Sequence, residues 1–207
     1  MIGRLHVLTD AREGRAPLTV AAAALSAGAP VLQVRAKGST DRELYEFASR
    51  VAALCADAGA LCVVDDRVDI AVAVGVGGTH LGATDLPLTA ARRVVGPGHL
   101  LGGTAREPTA AAALVADGAD YLGVGPSYAT TTKDGLPSAL GPAGVAAVAQ
   151  AVDVPVIAIG GVTVAQVPDL LAAGAHGVAV VGAVSDAADP AEAVRALLRA
   201  LAAGGTA

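Results

Sequence analysis

Eight times along this chain a short aliphatic run gives way to a longer stretch rich in Ala and Leu. The runs are Leu5–Thr9, Val31–Arg35, Leu61–Asp65, Thr79–Leu81, Leu100–Gly103, Tyr121–Gly125, Val156–Gly160 and Val178–Val181. The stretches between and after them are Leu18–Ala27, Asp41–Ala58, Val68–Val74, Leu88–Val95, Pro108–Asp117, Pro142–Ala151, Val164–Ala173 and Pro190–Ala203. The runs are apolar throughout rather than alternating, as expected of parallel strands covered on both faces. The stretches carry helix punctuation. Thr40-Asp41-Arg42-Glu43 reads as a cap with an acidic first turn. Gly59, Gly118 and Gly174 stand where a left-handed residue ends a helix. Pro108, Pro142 and Pro190 suit a first turn. Phrases such as Ala-Gly-Ala-Pro-Val (27–31) and Ala-Gly-Ala-Leu-Cys (58–62) rhyme at the helix-to-strand turns. Each βα unit averages about 26 residues, which predicts a small (β/α)8 TIM barrel. An open doubly wound sheet is the alternative, but no Gly-x-Gly-x-x-Gly follows the first run.

Residues 1–207 are expected to form one domain, its core spanning about 4–203, since the Gly/Pro-rich patches are all loop-sized. Composition closes off several function classes. Formal net charge is −5, from 14 Lys+Arg against 19 Asp+Glu, which argues against a broad nucleic-acid footprint. Aromatics are 2%, so base-stacking platforms are not the main device. Charged residues are only 16% and hydrophobic ones 54%, the opposite of a disordered chain. Neither a secretory leader nor an uninterrupted membrane-length apolar run is visible. Cys55 and Cys62 lack metal-ligand spacing and read as buried thiols of a cytoplasmic protein. His6, His80, His99 and His176 show no i, i+4 zinc spacing. A homo-oligomer is compatible with the Ala-rich exterior, on which no separate interface patch stands out.

In a barrel of this kind chemistry sits where the strands end. Gln33, Arg35 and Lys37 alternate at the second strand end, and two cations there suit a phosphate. Asp65-Asp66-Arg67 ends the third run and Asp85 follows the fourth. Carboxylates on adjacent strand ends can share Mg²⁺, which takes one or two of them and completes its shell with water and phosphate oxygens. One of Asp65 and Asp66 is expected to cap the next helix. Segment 125–133, Gly-Pro-Ser-Tyr-Ala-Thr-Thr-Thr-Lys, offers hydroxyls, backbone N–H groups and a lysine as an anion cradle. Gly160-Gly161 and Gly182 end the last two strands, where barrels frequently bind phosphate. Two anion sites and one magnesium site on one mouth suggest the joining or exchange of two phosphorylated small molecules.

Several phrases then form an ordered set: Gln-x-Arg-x-Lys at 33–37, Asp-Arg-Val-Asp-Ile-Ala at 66–71, Thr-His-Leu-Gly-x-x-Asp at 79–85, Gly-x-Gly-Pro-x-Tyr-x-Thr-x-Thr-Lys at 123–133 and Ala-Ile-Gly-Gly-Val-Thr at 158–163. The set resembles the thiamine phosphate synthase family. That resemblance implies a transferase joining a hydroxymethylpyrimidine diphosphate to a thiazole phosphate with Mg²⁺-assisted loss of pyrophosphate. It implies Asp66 and Asp85 as metal ligands, and Arg35, Lys37 and Lys133 on the pyrophosphate. Gln33 would meet the pyrimidine, and Thr104 takes the place of a family serine. Thr130 and Thr132 would serve the thiazole phosphate with the backbone around Gly161, Val181 and Gly182. Thr104 and Lys133 would be the catalytic pair. Two departures lie near the pyrimidine diphosphate: Asp65, counted with the substrate-binding residues, stands for a family Asn, and Arg106 for a His. The superfamily also contains thiazole tautomerases, and a non-catalytic thiazole-phosphate-binding paralogue is a third reading. Pro126, where a tautomerase carries a histidine, and the two metal aspartates favour the synthase.

Overall fold

The computed structural model describes residues 2–12, 14–130, 135 and 137–204. Its eight strands are β1 (Leu5–Leu8), β2 (Val31–Val34), β3 (Leu61–Asp65), β4 (Gly78–Leu81), β5 (Leu100–Ala105), β6 (Tyr121–Val124), β7 (Val156–Ile159) and β8 (Gly177–Val180). They pair in parallel, each with its sequence neighbours, and β1 pairs with β8 to close the barrel. The helices are α1 (Pro17–Ser26), α2 (Asp41–Ala58), α3 (Val68–Val74), α4 (Leu88–Val95), α5 (Pro108–Ala116), α6 (Gly141–Ala149), α7 (Val167–Ala172), α8 (Gly182–Ser185) and α9 (Pro190–Ala203). The predicted (β/α)8 barrel is therefore the observed fold.

Local chemistry explains the sharper boundaries. The Thr40 hydroxyl accepts from the Glu43 backbone N–H and the Glu43 carboxylate accepts from the Thr40 N–H, a reciprocal box worth about 1 kcal/mol. Gly59 closes the same helix at φ 66°, a left-handed turn that glycine adopts without a Cβ clash. The predicted helix Val164–Ala173 is divided: a 3₁₀ turn covers Val164–Gln166 before α7 begins. Pro168 is the physical reason, because its ring opposes a continuous α-helix passing the carbonyl of residue 164. The four-residue α8 was not anticipated; it carries too little periodicity to be read.

The strands separate two apolar layers. Leu5, Val7, Leu32, Val34, Val64, Leu101, Leu122 and Val178 face outward to the helices. Ile2, Leu8, Val31, Val63, Tyr121, Ile157 and Ala179 fill the barrel. Alternation on a closed barrel sends every second residue inward. His6, Gln33, Asp65, His80 and Thr104 share that inward phase with the filling residues. Room for the rings comes from glycine. A Cβ on Gly102 would strike Tyr121 and His80, and one on Gly123 would lie 3.0 Å from His80 Cε1.

Candidate active site

At the C-terminal mouth, β1 and β2 are tied beyond their ladder. The Thr9 hydroxyl accepts from the Arg35 N–H at 2.9 Å and donates to the Arg35 carbonyl at 3.0 Å. This fixes the backbone from which Arg35 and Lys37 extend. Gln33 Nε2 donates to Asp65 Oδ1 at 2.8 Å, and Arg35 Nε lies 3.7 Å from Asp65 Oδ2. Lys37 Nζ pairs with Asp66 Oδ2. The two cations thus stand at one opening, each beside a carboxylate. Burial pushes Asp65 above the usual carboxylate range, against the pull of Lys37 and Arg35.

Asp66 is the one non-glycine residue with positive φ (64°) among those described. Such a conformation costs roughly 1–2 kcal/mol for an L-residue, least for Asp and Asn. Its N–H donates to the His80 carbonyl at 2.8 Å, which holds the turn against β4. The expected cap does not exist: neither Asp65 nor Asp66 caps α3, whose N-cap is Arg67 without a side-chain bond. Left-handed Asp66 is turned instead toward the mouth. Asp85 accepts the Gly82 N–H at 2.7 Å, so a turn role and a mouth position coexist. Burial first, and then a hydrogen bond with the Asp66 carboxyl, push Asp85 above its ordinary range. Two carboxyls this close hold either a proton or a cation between them. Among the described residues no group of three His, Cys, Asp or Glu side chains gathers for a metal. Two carboxyls of this kind could hold a hard cation such as Mg²⁺, which takes one or two protein carboxylates. A cavity of about 170 Å³ opens here, lined by Lys37, Ser39, Asp65, Asp66 and Arg67. Arg67 is engaged elsewhere: it pairs with Asp41 of α2 at 2.7 Å and with Asp69 of α3 at 2.5 Å.

One layer lower lies a polar chain that pattern reading missed. His80 Nδ1 meets the Tyr121 hydroxyl at 3.1 Å and Nε2 meets Thr104 Oγ1 at 2.9 Å. Burial pushes the imidazole down to about 4, so it is neutral at physiological pH. A neutral ring has one donor and one acceptor nitrogen. The buried Tyr121 phenol needs an acceptor, and Nδ1 is its partner among the described residues. Nε2–H then donates to Thr104, whose own hydroxyl hydrogen is left for a ligand. The signal was present: His80 shares the inward phase of Gly78, opposite Gly102.

The β6–β8 loops form the other rim. Gly160 (φ 94°) and Gly161 (φ 65°) carry the tightest constraint. A Cβ at Gly160 would lie 2.6 Å from Pro126 Cβ, and one at Gly161 would run into the Ala129 carbonyl. The double glycine thus admits the segment after β6, a reason beyond any anion. Ser127 and Tyr128 donate their N–H groups to the Ile159 and Gly160 carbonyls at 2.8 and 2.9 Å. Arg106 reaches the same segment from β5, donating to the Gly125 carbonyl at 2.8 Å and the Ser138 carbonyl at 2.9 Å. Its guanidinium is turned to backbone rather than to the mouth. Val181 is the N-cap of α8 and packs against the barrel filling, and Gly182 begins that helix. Asp10 joins the two ends of the chain here: it accepts from Arg12 Nε at 2.7 Å and Ser185 Oγ at 3.2 Å. Thr130 is described; Thr132 and Lys133 lie outside the described residues.

These features define a closed parallel (β/α)8 barrel whose mouth gathers cations and paired carboxylates. The profile of the thiamine monophosphate synthase family matches residues 5–184, and the chain belongs to that family. It is 60% identical to the thiamine-phosphate synthase of Salinispora tropica over 203 residues, 97% of this chain and 98% of that one. The thiamine-phosphate synthase of Salinibacter ruber is 47% identical, covering 93% of this chain and 86% of the relative. Among solved structures, a thiamine phosphate pyrophosphorylase from Pyrococcus furiosus superposes with a TM-score of 0.89 at 32% identity. The match covers 98% of this chain and 96% of that one. A 3-hexulose-6-phosphate synthase, at 21% identity and TM-score 0.69, shares the barrel.

Proposed function

We propose that this chain, working as a single barrel unit, joins 4-amino-2-methyl-5-hydroxymethylpyrimidine diphosphate to a thiazole phosphate and releases pyrophosphate. The observation that carries the reading is the meeting of Lys37, Asp66 and Asp85, from three separate loops, beside Gln33 and Arg35. Asp66 and Asp85 would hold Mg²⁺, which when bound would neutralise pyrophosphate oxygens as charge builds on them. Arg35 and Lys37 add fixed positive charge at the same place, and Lys133, outside the described residues, is assigned to the pyrophosphate by the family resemblance alone. The methylene C–O bond breaks with its electron pair going to pyrophosphate, leaving carbocation character on the pyrimidine methylene. The thiazole nitrogen lone pair then forms the C–N bond. Thr104, held by neutral His80, offers its hydroxyl hydrogen to the departing anion. Preorganised donors of this kind cost no reorganisation during the reaction. Gln33 orients the pyrimidine. Thr130, Thr132 and the backbone at Gly161, Val181 and Gly182 would hold the thiazole phosphate in line.

The test is pyrophosphate release with both substrates and Mg²⁺, each omitted in turn. Release that needs all three, with thiamine phosphate in equal amount, is expected. No release while the thiazole phosphate still binds would refute the reading.

A further inference from the structure

Gln33 is 5% exposed, and its lateral neighbours in the barrel are Leu8 on β1 and Val63 on β3. Neither offers a polar group. Among the described residues its side-chain hydrogen-bond partner is Asp65, whose Oδ1 receives Gln33 Nε2 at 2.8 Å, while Arg35 Nε stands 3.7 Å from Oδ2. The amide orientation of a glutamine is decided by its partners. Nε2, and not the oxygen, faces Asp65 Oδ1, the orientation that an acceptor carboxylate flanked by Arg35 selects. Among the described residues the hydrogen bond of the Gln33 amide runs from Nε2 to Asp65, and none is made to its carbonyl oxygen. Nε2 keeps a second hydrogen. The free edge of Gln33 therefore presents an acceptor beside a donor in a fixed order.

We propose that Asp65 is a positioning residue that locks the Gln33 amide so that the site selects a ring offering an exocyclic amine next to a ring nitrogen. Gln33 Oε1 takes an amine hydrogen and the second Nε2 hydrogen goes to the ring nitrogen, the bidentate pairing an amide makes with adenine. A ring with a carbonyl and ring N–H in those places presents the reverse order and needs a flipped amide. Flipping would put Gln33 Oε1 against the Asp65 carboxylate. An asparagine at position 65 can rotate to donate instead, so it permits both orders. This inference rests on the proposed pyrimidine substrate.

The experiment compares the aminopyrimidine diphosphate with its analogue bearing oxygen in place of the exocyclic amine. Binding is measured by calorimetry and kcat/KM by pyrophosphate release. In Asp65→Asn the amine-to-oxo preference is expected to fall at least about tenfold, the worth of one buried hydrogen bond. Gln33→Glu alone should bind the amine poorly, carboxylate facing carboxylate. Adding Asp65→Asn should restore at least about tenfold, because the introduced amide can donate to the introduced carboxylate. If Asp65→Asn keeps the wild-type preference, or the double variant is no better than Gln33→Glu, the inference is overturned while the functional reading stands. If the wild-type protein neither binds nor turns over either compound, the functional reading fails and the inference with it.

Discussion

Gly102→Ala places one methyl where the barrel interior has no room. The added Cβ would run into Tyr121 Cζ and His80 Nδ1 and lie 2.5 Å from the Tyr121 hydroxyl. Ordinary carbon contacts are about 3.5–4.0 Å. Neither ring can retreat easily. Tyr121 is 1% exposed and stands edge-on to His6 at 5.4 Å, while His80 is held by Tyr121 and Thr104. Overpacking of this kind costs roughly 1–3 kcal/mol, and rigid rings put this case at the upper end. The backbone at Gly102 does not have positive φ, so alanine also lowers unfolded-state entropy, a gain of about 0.4–1 kcal/mol. The net expectation is a loss of about 2 kcal/mol. For a chain of this size that lowers Tm by about 4–8 °C. The assay is urea unfolding at equilibrium together with thermal melting. The control is Gly103→Ala, one residue away and outward-facing. Its Cβ would lie 3.2 Å from Leu114 Cδ1 and 3.4 Å from Leu88 Cδ1, the tips of flexible side chains. That variant should lose less than about 1 kcal/mol. Displacing His80 also removes the partner of Thr104, so kcat/KM should fall at least about tenfold in Gly102→Ala alone. A Gly102→Ala protein within about 0.5 kcal/mol of wild type, or no less stable than Gly103→Ala, would refute the packing argument.

Asp66→Asn and Asp85→Asn should each raise the Mg²⁺ concentration for half-maximal turnover by at least about tenfold. Their far-UV circular dichroism should be unchanged, since Asn also adopts the left-handed backbone of Asp66. Asp10 is held down to about 2, chiefly by its hydrogen bond from Arg12. Its folded value lies below the unfolded one of 3.8, so the stability it adds is fully present above that value and is lost as pH falls toward 2. Arg12 is 42% exposed, which discounts the contribution to about 1 kcal/mol. Asp10→Asn should therefore lower the urea midpoint at pH 6, with the gap from wild type closing near pH 2. Arg106→Ala removes two bonds to the carbonyls of Gly125 and Ser138. It should cost about 1–2 kcal/mol and speed limited proteolysis between those residues.

The chain's own pattern determined the architecture because that pattern is local. Helices α2, α3, α4 and α9 run between their predicted limits. A capping box, a left-handed glycine or an N-terminal proline acts within a few residues and leaves its mark in the string. Continuous apolar runs required strands covered on both faces, and repetition at about 26 residues suited barrel closure. Strand ends proved shorter by a residue at Thr9, Arg35, Gly125 and Gly160. There the chain leaves the ladder for the mouth, a limit that no propensity records. The mouth residues were also legible one at a time, as polar groups following apolar runs.

Apart from Asp66 with Asp85, read from adjacent strand ends, their partners were not legible, since partnership depends on distances across the barrel. Only tertiary structure pairs Asp66 with Lys37, and turns Asp65 toward Gln33 and Arg35 instead of into a cap. Only the closed sheet faces Gly102 and Gly123 with the ring of His80, so that a histidine in an ordinary strand becomes a neutral holder of Thr104. It likewise shows Gly160-Gly161 admitting the segment after β6, and Arg106 tied to that segment's carbonyls. The physical reason is the same in each case. Backbone periodicity and caps act over a few residues, whereas hydrogen-bond orientation, charge proximity and burial belong to groups that meet only once the barrel has closed.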